Sequence, residues 1–573
     1  MCGICGEFKF ISKSFDKQKL NNLMDSISAR GNDSQGRYMD DDVFLGHHRL
    51  AIIDTSSKSN QPMQVGKYVI VFNGVIFNYR ELRSTLIKKG HSFSSSGDTE
   101  VIIRSYIEHG SDCVNYLDGV FAFCIYDTEN KKLFLARDRI GIKPLYFLHE
   151  SGQLYFSSHM KGIIKNMVKR KVNPIALNYQ FTLHSVVPAP HTIIDNIQKL
   201  EPGHTITVHK SGRIDRTRYF NIDEIQLSKY NTQEIYENIS SLLTAAIEKR
   251  ISVADVPVGV LLSGGLDSSL ITAISKKYKN NLNTYSIGFE TINNEEGNEF
   301  HYSDMVANDL KTLHEKYSVT SFDLLNSLDD VIMSMSEPMF SQDSSAFYLL
   351  AKNVSKSAKV VLSGQGADEV FGGYFWYEKI MNETNLNSIE TLSKYYFDRS
   401  YENFKKIVHS DFVNENYASN DIGSRLKQMD PSLSILDKIF RLELSMFIID
   451  DPVKRVDNMT MSHSLEARVP FLDIDLIRFM LSVESEKKIE NGEKCLLKEV
   501  SKKYLNNKII NREKFYFPVP PLKIIKDKFF DYCRKTLLSE SALERNLYNT
   551  TYINKILEKP NEHFTNLNGN ELW

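Results

Sequence analysis

The stretch Val258–Ser269, VGVLLSGGLDSS, determines the fold that we expect for the second half of this chain. Its apolar run predicts a strand that is buried on both faces of a parallel sheet. The chain then turns at two glycines, and the following residues begin a helix whose unpaired N–H groups and dipole favour an anion. We therefore expect phosphate oxygens to bind at the turn Ser263-Gly264-Gly265, against the helix start that Asp267, Ser268 and Ser269 form.

A second segment, Lys359–Tyr374 (KVVLSGQGADEVFGGY), repeats this design, with Ser363 and Gly364 after an apolar strand and Asp368 beyond the turn. The first turn lacks the lysine of the loop that serves γ-phosphate transfer, so we expect ATP to be cleaved elsewhere. Acidic residues at both strand ends, Asp267 and Asp368, suit Mg²⁺ bound to pyrophosphate, because Mg²⁺ prefers oxygen ligands. For the first segment alone, a turn that merely joins a strand to a helix is the alternative.

The composition is typical of a soluble enzyme with more than one domain. The chain has 573 residues, of which 42% are hydrophobic and 25% charged, and this length is too great for a single core. A formal net charge of −2 favours neither nucleic acid nor an anionic membrane surface as a partner. The sequence shows no membrane-spanning run or signal peptide, and six cysteines are too few for a disulfide framework. We therefore expect a cytoplasmic protein with small-molecule substrates.

The N-terminus begins Met1-Cys2-Gly3-Ile4-Cys5, and the spacing of its cysteines allows two interpretations. A zinc or redox site is one, although no second close pair of Cys or His accompanies these two. The other is a nucleophile: removal of Met1 would leave Cys2 with a thiol and a free α-amine, whose pKa near 8 suits a built-in base. Cys5 is then predicted to be a small buried residue.

Three later segments support the nucleophile. Arg49 lies in a predicted strand, where its guanidinium could fork onto a carboxylate. Asn73 and Gly74 end another strand, and an amide side chain with a glycine N–H could form an oxyanion hole. Asp98 begins a predicted helix that runs to His109, either as a helix cap or as a ligand.

The remaining pattern divides the chain into two parts. Short strands at residues 121–127 and 133–137 predict a hairpin within a ladder of strands. The polar stretch 221–232 predicts a linker, with the domain boundary at about 210–230. An amphipathic helix over 234–251 is expected to pack on the second sheet, which has βαβ order.

Two groups of motifs carry a family resemblance. SGGLDSS at 263–269 and SGQGADE at 363–369 resemble the synthetase half of the asparagine synthetase family, a pyrophosphatase-loop ATP-binding domain. The N-terminal set is similar to the class II glutamine amidotransferase domain, an N-terminal-nucleophile fold. The resemblance implies an αββα sandwich over residues 2–210, followed by a parallel-sheet α/β synthetase domain over 230–573.

The resemblance also implies roles for individual residues. In the first domain, Cys2 would attack the glutamine amide, with Asn73 and Gly74 stabilising the oxyanion, and glutamine would be held by Arg49, Ile53 and Asp98. In the second, ATP would be cleaved to AMP and pyrophosphate with Mg²⁺ on Asp267 and Asp368. Lys494, in a predicted helix, would contact the acyl-adenylate, whereas His463 and Glu466 are predicted to be packing residues. The implied ATP-binding set is Leu261, Ser263, Gly264, Gly265, Asp267, Ser268, Ile287, Ser363 and Gly364.

Two departures bear on substrate choice. Val75 stands where asparagine synthetases often have a Glu that contacts the glutamine ammonium, and Gln365 replaces a Glu in SGQGADE. Four segments resemble a narrower branch, the N-acetylglutaminylglutamine amidotransferases, whose product is an osmolyte: 181–190, 341–350, 371–377 and 512–520. Aspartate amidation and a catalytically inactive regulatory member are the alternatives. The sequence is compatible with a homodimer.

Overall fold

The structure is a computed structural model that describes residues 1–11, 14–292, 295–383, 389–513 and 519–573. Residues 514–518 of the branch-like segment 512–520 therefore lie outside the described residues.

The N-terminal part is built from β-strands, and the central ones, such as β1 and β5, are buried along nearly their whole length. Within the described residues its strands are β1 (Gly3–Lys9), β2 (Ser34–Met39), β3 (Val43–Arg49), β4 (Met63–Val65), β5 (Tyr68–Ile76), β6 (Gly119–Asp127), β7 (Lys132–Arg137), β8 (Tyr146–Glu150), β9 (Gln153–Ser157), β10 (Ile197–Lys199), β11 (His204–His209) and β12 (Ile214–Arg218).

These strands form two six-stranded antiparallel sheets. Their orders are β10-β8-β9-β1-β3-β2 and β12-β11-β7-β6-β5-β4. The sheets pack face to face, because Ile4 and Phe8 of β1 share one apolar core with Val69 and Val71 of β5. The predicted hairpin of β6 and β7 is confirmed by their antiparallel pairing.

Helices cover both outer faces of the pair of sheets. The helices of this part are α1 (Lys17–Ile27), α2 (Tyr79–Lys88), α3 (Asp98–His109), α4 (Cys113–Tyr116), α5 (Met160–Asn166) and α6 (Pro174–Thr182). Apolar residues of α1 and α5 pack on the first sheet, and those of α2 and α3 pack on the second. The predicted αββα sandwich is confirmed.

The C-terminal part is organised around a parallel sheet. Its strands are β13 (Val258–Leu261), β14 (Asn283–Phe289), β15 (Leu313–Val319), β16 (Val360–Leu362) and β17 (Glu466–Arg468). The order is β15-β14-β13-β16-β17, with parallel pairing at each step. The strand order reverses between β13 and β16, and ligands of open α/β sheets bind beyond the strand ends at such a switch point.

Helices surround this sheet. The described ranges contain α7 (Thr232–Ser252), α8 (Leu266–Lys276), α9 (Phe300–Leu310), α10 (Ser321–Ser334), α11 (Asp343–Val354), α12 (Ala367–Phe371), α13 (Trp376–Met381), α14 (Ile389–Tyr396), α15 (Tyr401–Ile407), α16 (Tyr417–Gln428), α17 (Ile435–Leu442), α18 (Lys454–Met461), α19 (Ile474–Ser482), α20 (Glu486–Ile489), α21 (Cys495–Ser501), α22 (Asn507–Ile510), α23 (Pro520–Lys523), α24 (Asp527–Leu537), α25 (Glu540–Glu544) and α26 (Thr550–Glu558).

The predicted helix over 234–251 is confirmed as α7. Asn231 and Glu234 form a capping box at its start, which satisfies backbone donors that a helix end leaves unpaired. Its apolar positions, such as Ile239 and Leu243, are buried in the same core as β13. None of the helices in the described ranges is long and apolar enough to cross a membrane.

The two parts meet in a seam that contains buried ion pairs. Arg30 donates to both carboxylate oxygens of Asp457, over 2.8 and 3.1 Å. Lys199 Nζ lies 2.8 Å from Glu337 and 2.6 Å from Asp450. Buried charges of this kind are tolerated only when they are paired, so these contacts fix how the two parts sit together.

Candidate active sites

A pocket of about 390 Å³ opens beside Cys2 in the N-terminal part. The backbone N–H of Cys2 donates to Asn73 Oδ1 over 3.1 Å, and its Sγ lies 3.9 Å from the carbonyl oxygen of Leu50. Burial raises the pKa of the Cys2 thiol above its usual value. The thiol is therefore protonated near neutral pH, and it needs a base before it can act as a nucleophile.

Asn73 and Gly74 lie side by side in β5, facing Cys2. Asn73 is completely buried, and its Nδ2 donor has no hydrogen-bond partner among the described residues. A buried donor without a partner is costly unless a ligand satisfies it, and a developing oxyanion would do so. A Cβ at Gly74 would lie 2.2 Å from the carbonyl oxygen of Val120, so the strand requires glycine there.

Arg49 lines the pocket at the end of β3, where the protein fixes its guanidinium. Nη1 donates to Ser56 O and Asn60 Oδ1, each over 2.7 Å, and Nη2 donates to Asp54 O. Nη2 also lies 3.5 Å from the carbonyl oxygen of Ile53, another residue of the pocket wall. This loop holds the positive charge of Arg49 in one place.

Asp98 is the first residue of α3 and lines the same pocket. The N-cap residue is Gly97, and the Asp98 carboxylate accepts the backbone N–H of Ile76 over 3.1 Å. The side chain therefore links the helix to β5 instead of capping its own helix. Burial raises the pKa of Asp98 to about 6.

The first glycine turn lies at the end of β13. Gly264 has a φ of +79°, and a Cβ there would lie 2.6 Å from Tyr302, so the turn requires glycine. The N–H and the Oγ of Ser263 lie 3.2 and 3.0 Å from Ser268 Oγ, which ties the turn to the first turn of α8. Gly265 is the N-cap residue of that helix. The predicted strand, turn and helix are confirmed.

The second glycine turn follows β16 and touches the first. A Cβ at Gly364 would lie 3.2 Å from Asp267 Cβ, which is within contact distance. The N–H of Ser363 donates to the carbonyl oxygen of Arg468 in β17 over 2.9 Å. The two turns therefore form one crevice at the switch point of the sheet.

Lys494 joins the acidic residues of both turns. Its Nζ lies 2.7 Å from Asp267 Oδ2 and 2.9 Å from Asp368 Oδ1. Burial opposes the charged form, but the two carboxylates more than offset it and raise the pKa of Lys494. Lys494 lies immediately before α21, not inside a helix as predicted, and its φ of +54° is in the left-handed region. Residues other than glycine adopt this backbone conformation at a cost in free energy, and they often do so at functional sites.

The other predicted residues of this half occupy two kinds of environment. Leu261 and Ile287 lie on neighbouring parallel strands and share an apolar core. Gln365 is half-buried between Gly364 and Gly366, in the second turn itself. The assignment of Leu261 and Ile287 to the ATP-binding set remains a prediction.

A sequence model described as asparagine synthase matches residues 238–573, and one described as a glutamine amidotransferase domain matches residues 1–220. The chain belongs to the asparagine synthase family. Two curated relatives come from Bacillus subtilis (strain 168). Asparagine synthetase [glutamine-hydrolyzing] 3 is 32% identical, over 90% of this chain and 87% of the relative. Asparagine synthetase [glutamine-hydrolyzing] 1 is 30% identical, over 97% of this chain and 93% of the relative.

Solved structures add little to this assignment. The glutamine phosphoribosylpyrophosphate amidotransferase from B. subtilis, complexed with ADP and GMP, has a TM-score of 0.31 at 13% identity. The match covers 57% of this chain and 92% of that chain. Membership of the asparagine synthase family therefore rests on sequence.

The structure of this asparagine synthase family member adds two charged residues to the pocket that the sequence pattern did not predict there. Glu466 and Arg468, from β17 of the C-terminal part, line the pocket beside Cys2. The pattern predicted Glu466 to be a packing residue. A short buried strand with opposite charges on either side of Ala467 was the available signal, because buried charges need a reason.

Asp267 and Asp368 fit the Mg²⁺ that the asparagine synthase family implies. Both carboxylates are partly accessible, and in the structure the Lys494 ammonium lies between them. Among the described residues, no group of three or more His, Cys, Asp or Glu could hold a metal ion. Mg²⁺ commonly binds through one or two carboxylates together with substrate phosphates, so this pair suits it only together with ATP.

Proposed function

We propose that this chain hydrolyses glutamine at Cys2 and uses the ammonia to convert a carboxylate into an amide at the expense of ATP. The observation that carries this proposal is the Lys494 ammonium, bound to Asp267 and Asp368 at the point where two glycine turns meet. A cation and two carboxylates in one crevice, together with a buried nucleophile in a second pocket, suit a two-site amidotransferase.

In the first site, Cys2 Sγ attacks the side-chain amide carbon of glutamine. Asn73 Nδ2, which has no hydrogen-bond partner among the described residues, and the N–H of Gly74 would donate to the oxyanion that forms. Ammonia leaves, and water then hydrolyses the thioester to glutamate. Because the thiol pKa is raised, the proton of Cys2 must pass to a base, and the α-amine freed by removal of Met1 is suited to this.

In the second site, the acceptor carboxylate attacks the α-phosphorus of ATP and pyrophosphate leaves. The backbone N–H groups of the two turns favour the phosphate oxygens. Bound Mg²⁺ would be held by Asp267 and Asp368 and would neutralise the pyrophosphate charge. Lys494 stabilises the charge on the acyl-adenylate, and ammonia then displaces AMP to give the amide.

Ammonia would travel between the sites along the seam. Leu50 and Ile52, beside the glutamine pocket, share an apolar core with Val260 of β13 and with Val469, which follows β17. Such a lining favours neutral ammonia over the ammonium ion.

For the acceptor, we propose an N-acylated dipeptide, with N-acetylglutaminylglutamine as the best guess. Gln365 carries no charge, so it cannot balance the α-ammonium of free aspartate, whereas an N-acylated acceptor has no such ammonium. The names of the curated relatives favour aspartate as the second candidate.

An assay of AMP formation over a panel of carboxylates tests the proposal. With glutamine and ATP, N-acetylglutaminylglutamine should have a higher kcat/KM than aspartate, and Gln365→Glu should lower the dipeptide reaction. A clear preference for aspartate would support the second candidate. ADP and phosphate as stoichiometric products would contradict the cleavage of ATP between its α- and β-phosphates.

A further inference from the structure

A primary ammonium group is already bound in the glutamine pocket. The N-terminal ammonium of Met1 lies 2.6 Å from Glu466 Oε2, and both groups are almost fully buried. Met1 belongs to the N-terminal part and Glu466 to β17 of the C-terminal part. The contact shows that Glu466 can bind an R–NH₃⁺ group in this position.

Glu466 is held rigidly. Arg468 Nε donates to its other carboxylate oxygen over 2.5 Å. Arg468 Nη1 is anchored on the carbonyl oxygens of Arg250 and Val253, over 2.6 and 2.7 Å. Arg468 lines the same pocket and is 3% exposed, and its Nη2 has no hydrogen-bond partner in the part of the chain that the structure describes. A carboxylate and a spare donor are thus presented together to the pocket.

Glu466 stays ionised. Burial favours the neutral acid, but the N-terminal ammonium, Arg468 and Lys143 lower the pKa of Glu466 to about 2. Its charge in turn affects two groups of the pocket, because it helps to raise the pKa of Cys2 and of Asp98. A buried carboxylate that loses a cation is strongly destabilised, so departure of Met1 would leave a site that favours another cation.

We propose that Glu466, held by Arg468, is the second carboxylate of the glutamine pocket and binds a primary ammonium group there after removal of Met1. This inference rests on the proposed glutaminase function. Among the described residues that line the pocket, Asp98 and Glu466 are the acidic ones, and Val75 is the residue that the family pattern would replace by Glu.

Two sources could supply the ammonium group. One is the α-ammonium of bound glutamine, and the other is the α-amine of Cys2 after it has taken the thiol proton. In the first case Glu466 shares the substrate ammonium with Asp98. In the second it stabilises the protonated base, as a third member of a nucleophile–base–carboxylate set. Both cases make the glutaminase site incomplete without the C-terminal part.

Glu466→Gln in the full chain separates these cases, because it keeps the side-chain size and an acceptor for Arg468. Glutamine hydrolysis is measured without ATP, on glutamine and on 4-carbamoylbutanoate, which lacks the α-amino group. If the substrate supplies the ammonium, KM for glutamine rises about 10- to 100-fold and that for the analogue does not change. If Cys2 supplies the ammonium group, kcat falls by a similar factor for glutamine and for the analogue.

Values within twofold of the parent on both substrates would overturn the proposal, and so would an intact mass that retains Met1. Lys359→Met is the matched control: it removes an ion pair with Asp33 across the same seam, but an accessible one outside the pocket, and both substrates should be unaffected. Glu466→Asp, which keeps the charge, should give an intermediate effect. AMP formation with added ammonium reports folding of each variant, and a parent enzyme without glutaminase activity would instead contradict the proposed function.

Discussion

Replacement of Lys494 by methionine should abolish amide synthesis and leave the fold intact. The side chain makes charged hydrogen bonds of 2.7 and 2.9 Å with Asp267 and Asp368. Each such bond contributes about 1.5–3 kcal/mol, but both carboxylates are partly accessible to water, which can solvate them in the variant, so the loss of stability stays below the cost of breaking a fully buried pair. Loss of a positioned donor at the reacting centre, in contrast, costs about 10²–10³-fold in rate.

The assay is pyrophosphate release with ammonium as the nitrogen source, which isolates the second site from the first. Glutamine hydrolysis by the Lys494 variant should match that of the parent enzyme. Lys498→Met, a change at a half-exposed lysine of α21, the helix that follows Lys494, is the control and should keep full synthesis. If Lys494→Met retained more than about a third of the parent rate, Lys494 would be a structural cation and its role in the acyl-adenylate step would be refuted.

Three further predictions concern the first site and the seam. Cys2→Ala should abolish glutamine hydrolysis and keep ammonium-dependent synthesis, which a paired assay of glutamate and AMP would show. Because burial raises the pKa of Asp98 to about 6, its carboxylate is neutral below that pH and cannot hold an ammonium. The kcat/KM for glutamine should therefore fall as pH drops through 6, and Asp98→Asn should remove this step in the profile. Asp457→Ala leaves the Arg30 charge buried and unpaired, so a denaturant titration should show the free energy of unfolding lowered by about 3–5 kcal/mol. Lys359→Met removes an accessible ion pair and should lower the free energy of unfolding by under about 1 kcal/mol.

The fold was accessible from sequence because its determinants are local. The glycine turns after β13 and β16 are encoded within a few residues, since an apolar run, a turn that requires glycine and a helix start are adjacent in the chain. The switch point itself is seen only in the sheet order, because β14 and β15 separate β13 from β16 in the chain. The capping box at Asn231 likewise fixes the start of α7 locally.

The missed features depend on contacts between distant residues. Glu466 meets Met1 across 465 positions of sequence, and no local pattern distinguishes it from a packing residue. The backbone of Lys494 is left-handed while its N–H donates to the carbonyl oxygen of Gly372 over 3.2 Å, a tertiary contact that helical periodicity does not contain. Asp98 has the sequence position of a helix cap, and the structure is needed to show that its carboxylate instead accepts the backbone N–H of Ile76 in strand β5.

Strand β17 contacts both candidate sites, because Glu466 and Arg468 line the pocket beside Cys2 while the carbonyl oxygen of Arg468 accepts a hydrogen bond from the N–H of Ser363 in the second turn. Thermodynamic linkage makes any communication through this strand symmetrical: if glutamine tightens ATP binding by some factor, ATP tightens glutamine binding by the same factor. A coupling free energy of about 1–3 kcal/mol would correspond to about 5- to 150-fold. The strand Glu466–Arg468 would then determine how much glutamine is hydrolysed without amide synthesis when the ATP concentration is low.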